Sequence, residues 1–162
     1  MISSGDVEPV NIYKAFPNGY RAMQALEEAV KSGPLDPVTR ELVKLRVSQI
    51  NGCAYCIDMH HKDARAAGET EERLYMLAAW REASVYSDAE RAALALCEEI
   101  TSIAEGHVPS HVEAAARSHF DEQTYAALVF AIVVINAWNR LAITSHSPAG
   151  KYQSKVPAST PN

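Results

Sequence analysis

The amino-acid sequence predicts a single all-α domain. No segment alternates between polar and apolar residues with a period of two for long enough to form a strand. Glycines, prolines and cap residues divide the 162-residue chain into amphipathic segments of helical length. The longest apolar run, 125–137, is too short to span a bilayer and predicts a buried core helix. We expect one helical domain of about six or seven helices in residues 1–147 and a flexible or subunit-strapping tail in 148–162.

The first three helices are bounded by glycine and proline. The first stops before Gly33. Asp36, followed by proline, is typical of a helix start, and Gly52 interrupts the second helix. Gly68 can end the third. We therefore predict helices at about 18–31, 36–50 and 53–67.

The remaining helices are marked by N-terminal caps. Thr70 and Asp121 are suitable N-cap residues, and the spacing of capping boxes begins at Ser87 and at Ser110. These signals predict helices at about 70–80, 87–105, from 110 onward, and 121–145.

Composition limits the classes of partner. The net charge is −5 and the sequence pI about 5.7, which argues against nucleic acid as the main partner. The polar, acidic segment 1–10 does not resemble a signal peptide. Three cysteines are too few for a secreted disulfide scaffold. We expect a cytoplasmic protein with neither a membrane nor a nucleic-acid partner.

The residues that indicate a reactive site are Cys53, Cys56 and His60. On a helix these residues fall within about 60° of one another. The break at Gly52 places both cysteines in a first helical turn, where free N–H groups stabilise a thiolate. His60 can act as a general base for Cys56, and a second cysteine can condense with a sulfenic acid. His61 points about 100° away and is a weaker candidate.

Other interpretations of these residues stay open. Cys53 and Cys56 can be buried structural thiols, or they can bind zinc with His60 and a fourth ligand. The same thiols would also suit a non-enzymatic oligomeric binding protein or a redox sensor. Cys97 shares a helix face with apolar residues and is expected in the core.

Glu41 lies on the preceding helix at the border of an apolar stripe. Partial burial would raise the pKa of its carboxyl group, which would suit a proton relay. The alternative is an ordinary salt bridge to Lys44 or Arg46. The same helix carries two apolar stripes, and we expect one of them to face a partner subunit. The stripes are Val38, Leu42 and Leu45, and Val43, Val47 and Ile50.

Glu41, eleven intervening residues and then Cys53-x-x-Cys56-x-x-x-His60 together resemble the core signature of the alkylhydroperoxidase AhpD-like family in the carboxymuconolactone decarboxylase superfamily. The resemblance is strongest over 36–68 and extends more loosely to 136–140. The decarboxylase branch lacks the cysteine pair, so the resemblance favours the peroxidase branch.

The resemblance implies an all-α homotrimer or homohexamer that reduces a hydroperoxide without cofactor or metal. It implies that Cys56 is the peroxidatic thiol, that Cys53 resolves it in a redox-active disulfide, and that Glu41 and His60 relay the proton. The implied reductant is a lipoyl-bearing or thioredoxin-like protein. Tyr55 stands where the best-studied peroxidases carry a second histidine, which leaves Tyr55 and His61 as accessory candidates.

Overall fold

The computed structural model describes residues 10–155, and these residues form an all-α fold without strands. The prediction of the fold class is therefore confirmed. The helices are α1 (Ile12–Ala15), α2 (Pro17–Lys31), α3 (Pro37–Asn51), α4 (Ala54–Ala66), α5 (Glu71–Met76) with a 3₁₀ turn (Leu77–Ala79), α6 (Asp88–Thr101), α7 (Ser110–His119) and α8 (Glu122–Thr144).

Three details differ from the sequence prediction. Helix α1 was not predicted, because its four residues are too few to show a helical period. Helix α6 begins with the expected capping box at Ser87 but ends at Thr101, because the backbone at Ser102 leaves the helical conformation. Ser110 is the first residue of α7 and not its cap: Pro109 occupies the N-cap position, and no side chain caps that end.

Helix α8 supplies much of the core. Leu128, Ile132 and Ile135 are buried, and the helix packs against α2, α3 and α6. Its 23 residues are long and apolar enough to cross a membrane, a criterion that the core helix of a soluble protein also meets. The expectation that this segment is too short to span a bilayer was based on the apolar run 125–137 alone. It is wrong for the whole helix, which is longer than that run.

Helix α3 connects the core to the cysteine motif. It packs against α4, α6 and α8. Most of both apolar stripes is covered within the chain, since Leu42, Leu45, Val43 and Val47 are all buried, whereas Val38 at the start of the first stripe is 42% exposed. The second stripe therefore needs no partner subunit to cover it, and the oligomeric state stays a prediction.

Part of the C-terminal segment lies along α4 of the same chain. The Gly150 N–H donates to Asp58, and Lys62 Nζ donates to the Tyr152 carbonyl oxygen at 3.0 Å. Asp63 accepts hydrogen bonds from the Tyr152 hydroxyl at 3.0 Å and from Ser154 Oγ at 2.6 Å. The rest of the predicted tail, 156–162, lies outside the described residues, and its role as a subunit strap stays a prediction.

Candidate active site

A tight turn presents the cysteine pair at the start of α4. Gly52 ends α3 with a φ of 67°, a left-handed conformation that glycine adopts without a steric penalty. Cys53 is the N-cap of α4, and its Sγ accepts a hydrogen bond from the Cys56 N–H at 3.3 Å. The two cysteines form a disulfide with a Cα–Cα distance of 5.3 Å. Both sulfurs therefore lie at the positive end of the helix dipole.

His60 follows Cys56 by one helical turn and shares its face. Its side chain is buried, as are Cys56 and Ala64 on the same side of α4. The buried side of α4 ends there, because Ala67 is exposed. His60 Nδ1 lies 2.9 Å from Oε2 of Glu41, which α3 presents from the opposite side. Helices α3 and α4 thus bring together the four residues that the sequence had singled out.

The pKa of Glu41 is shifted in the direction opposite to the one expected. Burial raises it, but the hydrogen bond with His60 and the positive charges of His60, Lys44 and Arg40 outweigh burial and lower it to about 2. Glu41 is therefore ionised at neutral pH. The expectation of a raised pKa considered the apolar stripe alone and missed the cations that surround the carboxylate.

The ionised carboxylate fixes the tautomer of a neutral His60. A carboxylate can only accept hydrogen bonds, so Nδ1 must carry the proton that it donates to Glu41. Nε2 then bears the free lone pair. It is buried and has no hydrogen-bond partner among the described residues. The second nitrogen is therefore available to take a proton from a nearby group.

The alternative interpretation of Glu41, a salt bridge to Lys44 or Arg46, is wrong. Lys44 pairs with Glu27 on α2, whose other oxygen accepts a hydrogen bond from Trp138 Nε1 at 3.2 Å. Arg46 pairs with Glu98 on α6. Instead, Glu41 lies 3.6 Å from Nε of its neighbour Arg40. Long-range partners on α2 and α6 compete successfully with the local ones.

A cleft of about 1560 Å³ opens beside these residues. Cys56, His60 and Glu41 line it, whereas Cys53 does not. Of the two cysteines, Cys56 is therefore the one that faces the cleft.

Aromatic residues from distant parts of the chain complete this end of the cleft. Tyr13 and Tyr20 pack edge to face with ring centroids 5.1 Å apart, and Trp138 lies 6.0 Å from Tyr20 in a similar geometry. All three line the cleft. The sequence did not indicate any of these three residues as part of the site, since no spacing relates them to the cysteine motif.

The two accessory candidates, Tyr55 and His61, differ in whether they line the cleft. Tyr55 packs against the buried cluster of Cys53, Cys56 and Ala142 and lines the cleft. His61 is half-buried, and burial lowers its pKa despite the opposing charge of Asp58. It does not line the cleft.

Two further expectations concern cysteine and metal. Cys97 lies fully buried in the core, as expected, and burial raises the pKa of its thiol. Within residues 10–155, no group of three or more His, Cys, Asp or Glu side chains is arranged to hold a metal ion.

Comparison with known sequences identifies relatives over most of the chain. The profile of the carboxymuconolactone decarboxylase (CMD) family matches residues 17–99. The uncharacterized protein YdfG of Bacillus subtilis is 48% identical over 134 residues, which is 83% of this chain and 91% of YdfG. The alkyl hydroperoxide reductase AhpD of Acidobacterium capsulatum is 49% identical, but over only 51 residues, 32% of this chain and 27% of AhpD.

Comparison with solved structures agrees with these sequence matches. A protein of unknown function from Agrobacterium tumefaciens, described in connection with the antioxidant defence protein AhpD, superposes with a TM-score of 0.85 at 38% identity. The superposition covers 89% of this chain and 99% of that protein. The debrominase Bmp8 superposes with a TM-score of 0.76 at 17% identity, covering 85% and 74% of the two chains, which is a likeness of fold.

Proposed function

Because the chain belongs to the carboxymuconolactone decarboxylase family and to its AhpD-like group, we propose that it is a thiol-dependent hydroperoxidase of antioxidant defence. One observation carries the proposal: Cys56 is disulfide-bonded to Cys53 and lines a cleft together with His60, which Glu41 holds at 2.9 Å. A thiol, a base and a group that orients the base are the components of an activated nucleophile.

The proposed reaction starts from the dithiol. His60 Nε2 takes the proton of Cys56, and the thiolate attacks the terminal oxygen of the hydroperoxide. The O–O bond breaks, the departing oxygen takes the proton from the His60 imidazolium and leaves as an alcohol, and Cys56 becomes a sulfenic acid. The Cys53 thiol then attacks that sulfur and expels water, which forms the disulfide. A dithiol reductant restores both thiols by exchange.

Glu41 has a narrower role in this proposal than in a proton relay. With a pKa of about 2 it is a poor proton acceptor at neutral pH. It orients His60, keeps the proton on Nδ1 and stabilises the imidazolium that forms when Nε2 is protonated, as the acidic member of a catalytic triad does.

The partners and setting are part of the same proposal. We infer a lipoyl-bearing or thioredoxin-like reductant, a homotrimer or homohexamer, and action in the cytoplasm. These inferences are supported by family membership and by the position of Cys56 along the cleft.

The first test is to treat the reduced protein with one equivalent of cumene hydroperoxide. We expect a loss of two hydrogens and two free thiols, mapped by mass spectrometry to Cys53 and Cys56. Cys56→Ser should abolish turnover with a dithiol such as dihydrolipoamide. Cys53→Ser should stop after one oxidation with a trappable sulfenic acid.

Cys97→Ser is the matched control, because this buried thiol lies outside the cleft. Equal turnover in the Cys56 and Cys97 variants would overturn the proposal. A wild-type protein that oxidises once and does not cycle with any dithiol would instead indicate a redox sensor.

A further inference from the structure

Several lysines along the cleft are not neutralised by the chain. Four have exposed side chains that form no ion pair within residues 10–155: Lys14, Lys31, Lys151 and Lys155. Among the acidic side chains that line the cleft, Glu28 alone makes neither a hydrogen bond nor an ion pair in the same part of the chain. The uncompensated charge along the cleft is therefore positive, although the whole chain has a net charge of −5.

The C-terminal segment holds two of these lysines beside α4. Lys151 and Lys155 flank Tyr152, whose hydroxyl donates to Asp63 at 3.0 Å. Asp63 lines the cleft one helical turn beyond His60. The attachment of this segment to α4 thus places two cations along the cleft on the side of the reactive histidine.

The end of α2 brings a further lysine to the opposite side. Arg40 Nη1 donates to the main-chain carbonyl oxygen of Lys31 at 3.1 Å. This hydrogen bond fixes the last residue of α2 against α3, next to the position that precedes Glu41. Lysines therefore line the cleft beside both helices that carry the Glu41–His60 pair.

The cleft also has an apolar wall and room for a large molecule. The rings of Tyr13, Tyr20 and Trp138 form an edge-to-face series, and Lys14 adjoins this wall on α1. The volume of about 1560 Å³ far exceeds the space that hydrogen peroxide needs, since a water molecule takes up only about 30 Å³ in the liquid. A molecule with an apolar body and an anionic group would match both features.

We propose that the hydroperoxides preferred by this cleft carry a carboxylate, as a fatty acid hydroperoxide does. The inference rests on the proposed function and names its substrate class. The four lysines attract the carboxylate, and the aromatic rings contact the apolar body. The carboxylate takes no part in the redox step, in which the Cys56 sulfur is oxidised to a sulfenic acid and the peroxide group is reduced to an alcohol.

The test compares one hydroperoxide with and without its charge. The second-order rate constant of Cys56 oxidation in the reduced full-length protein is measured by stopped flow with linoleic acid hydroperoxide and with its methyl ester. Both are used below the concentration at which micelles form. In wild type at low salt we expect the acid to react about tenfold faster than the ester, and the ratio to approach one in about 0.5 M NaCl.

The charge variant replaces all four lysines by glutamine, which keeps the exposed positions polar. We expect its ratio of acid to ester rate constants to be about tenfold lower than that of wild type at low salt, and to be independent of salt. Arg117→Gln is the matched control, since this exposed cation on α7 lies outside the cleft. Its ratio should equal that of wild type.

Alkylation of Cys56 gives a readout that needs no peroxidase activity. Iodoacetate is anionic and iodoacetamide is neutral, so the ratio of their rate constants reports the charge around the thiol. Mass spectrometry assigns the alkylation to Cys56. We expect this ratio to fall in the lysine variant, and thermal unfolding verifies that the variant is folded.

Equal rate constants for acid and ester in wild type, or a lysine variant that keeps the wild-type ratio, would overturn the inference. A variant in which only the reaction with a protein reductant is slowed would also overturn it, because the lysines would then serve that partner. The proposed function fails separately, if the wild-type protein reacts with neither hydroperoxide.

Discussion

Glu41 and His60 lie on different helices, and one hydrogen bond of 2.9 Å between them determines which histidine nitrogen can act as a base. The carboxylate is ionised because cations surround it, so Nδ1 donates and Nε2 is left without a partner in the described part of the chain. Glu41 thus determines which nitrogen of His60 can act as the base, although Glu41 itself transfers no proton.

Glu41→Gln should therefore be strongly impaired in catalysis. A glutamine amide can donate to Nδ1, which places the imidazole proton on Nε2 and removes the acceptor for the Cys56 proton. We expect kcat/KM with cumene hydroperoxide to fall on the order of 10²–10³-fold. Steady-state assays with dihydrolipoamide measure it. Glu113→Gln, which changes an exposed side chain on α7, should match wild type, and comparable activity of the two variants would contradict this role.

The same residue predicts how stability depends on pH. The folded pKa of Glu41 is about 2 and its ordinary value is 4.5. Its contribution to stability is therefore complete above pH 4.5 and is lost as the pH falls toward 2. We expect the free energy of unfolding to fall between pH 5 and 3 more steeply in wild type than in Glu41→Gln, by about 1–3 kcal/mol. Urea unfolding at each pH tests this, and parallel pH curves would disprove it.

Lys44 should be costly to replace alone. It is buried and pairs with Glu27, so Lys44→Met leaves a partly buried carboxylate uncompensated. We expect a loss of about 2–4 kcal/mol on chemical denaturation. The double variant with Glu27→Gln should recover part of that loss. If the two effects simply add, the ion pair is not the cause.

A buried amide network fixes the end of α3 against α8. Asn139 is fully buried, accepts from Asn51 Nδ2 at 2.9 Å and donates to Ser48 Oγ at 3.1 Å. Asn139→Ala should cost about 1–3 kcal/mol, because it leaves buried polar groups unpaired. Asn18→Ala, at an exposed position of α2, should cost less than about 0.5 kcal/mol. Thermal unfolding of both variants measures these losses. An equal loss in the two variants would show that the hydrogen bonds of Asn139 do not stabilise the fold.

Asp63 should control how firmly the C-terminal segment is attached. Because it accepts hydrogen bonds from Tyr152 and Ser154, Asp63→Ala should speed tryptic cleavage after Lys151 and Lys155 by about tenfold. Mass spectrometry of the digest follows each site. Glu72→Ala, exposed on α5, is the control, and unchanged cleavage in Asp63→Ala would show that other contacts hold the segment.

Local signals in the sequence were sufficient to place the cysteine motif. Gly52 ends one helix and Cys53 starts the next, because turn and cap preferences act over a few residues. The burial of Cys56 and His60 on one face also follows from helical spacing. Only the first helix was missed, because four residues are too few to show a period.

What the sequence could not provide are the contacts between helices. Glu41 and His60 are 19 positions apart, and only the family resemblance connected them in advance. The sign of the Glu41 pKa shift was wrong because it depends on cations brought near by folding. Tyr13 and Tyr20 reach the site through the packing of α1 and α2, which no local pattern encodes.

The Sγ atom of Cys53 has two roles. It caps the N-terminus of α4 by accepting a hydrogen bond from the Cys56 N–H, and it forms the disulfide with Cys56. Reduction frees that sulfur from its covalent bond, and a thiolate there would be a stronger acceptor for the helix N–H groups than a disulfide sulfur is. The folding equilibrium of the first turn of α4 and the dithiol–disulfide equilibrium are consequently linked. Any ligand that tightens this turn must shift the balance between the two oxidation states, and the amide hydrogen exchange of Cys56 would report which state prevails.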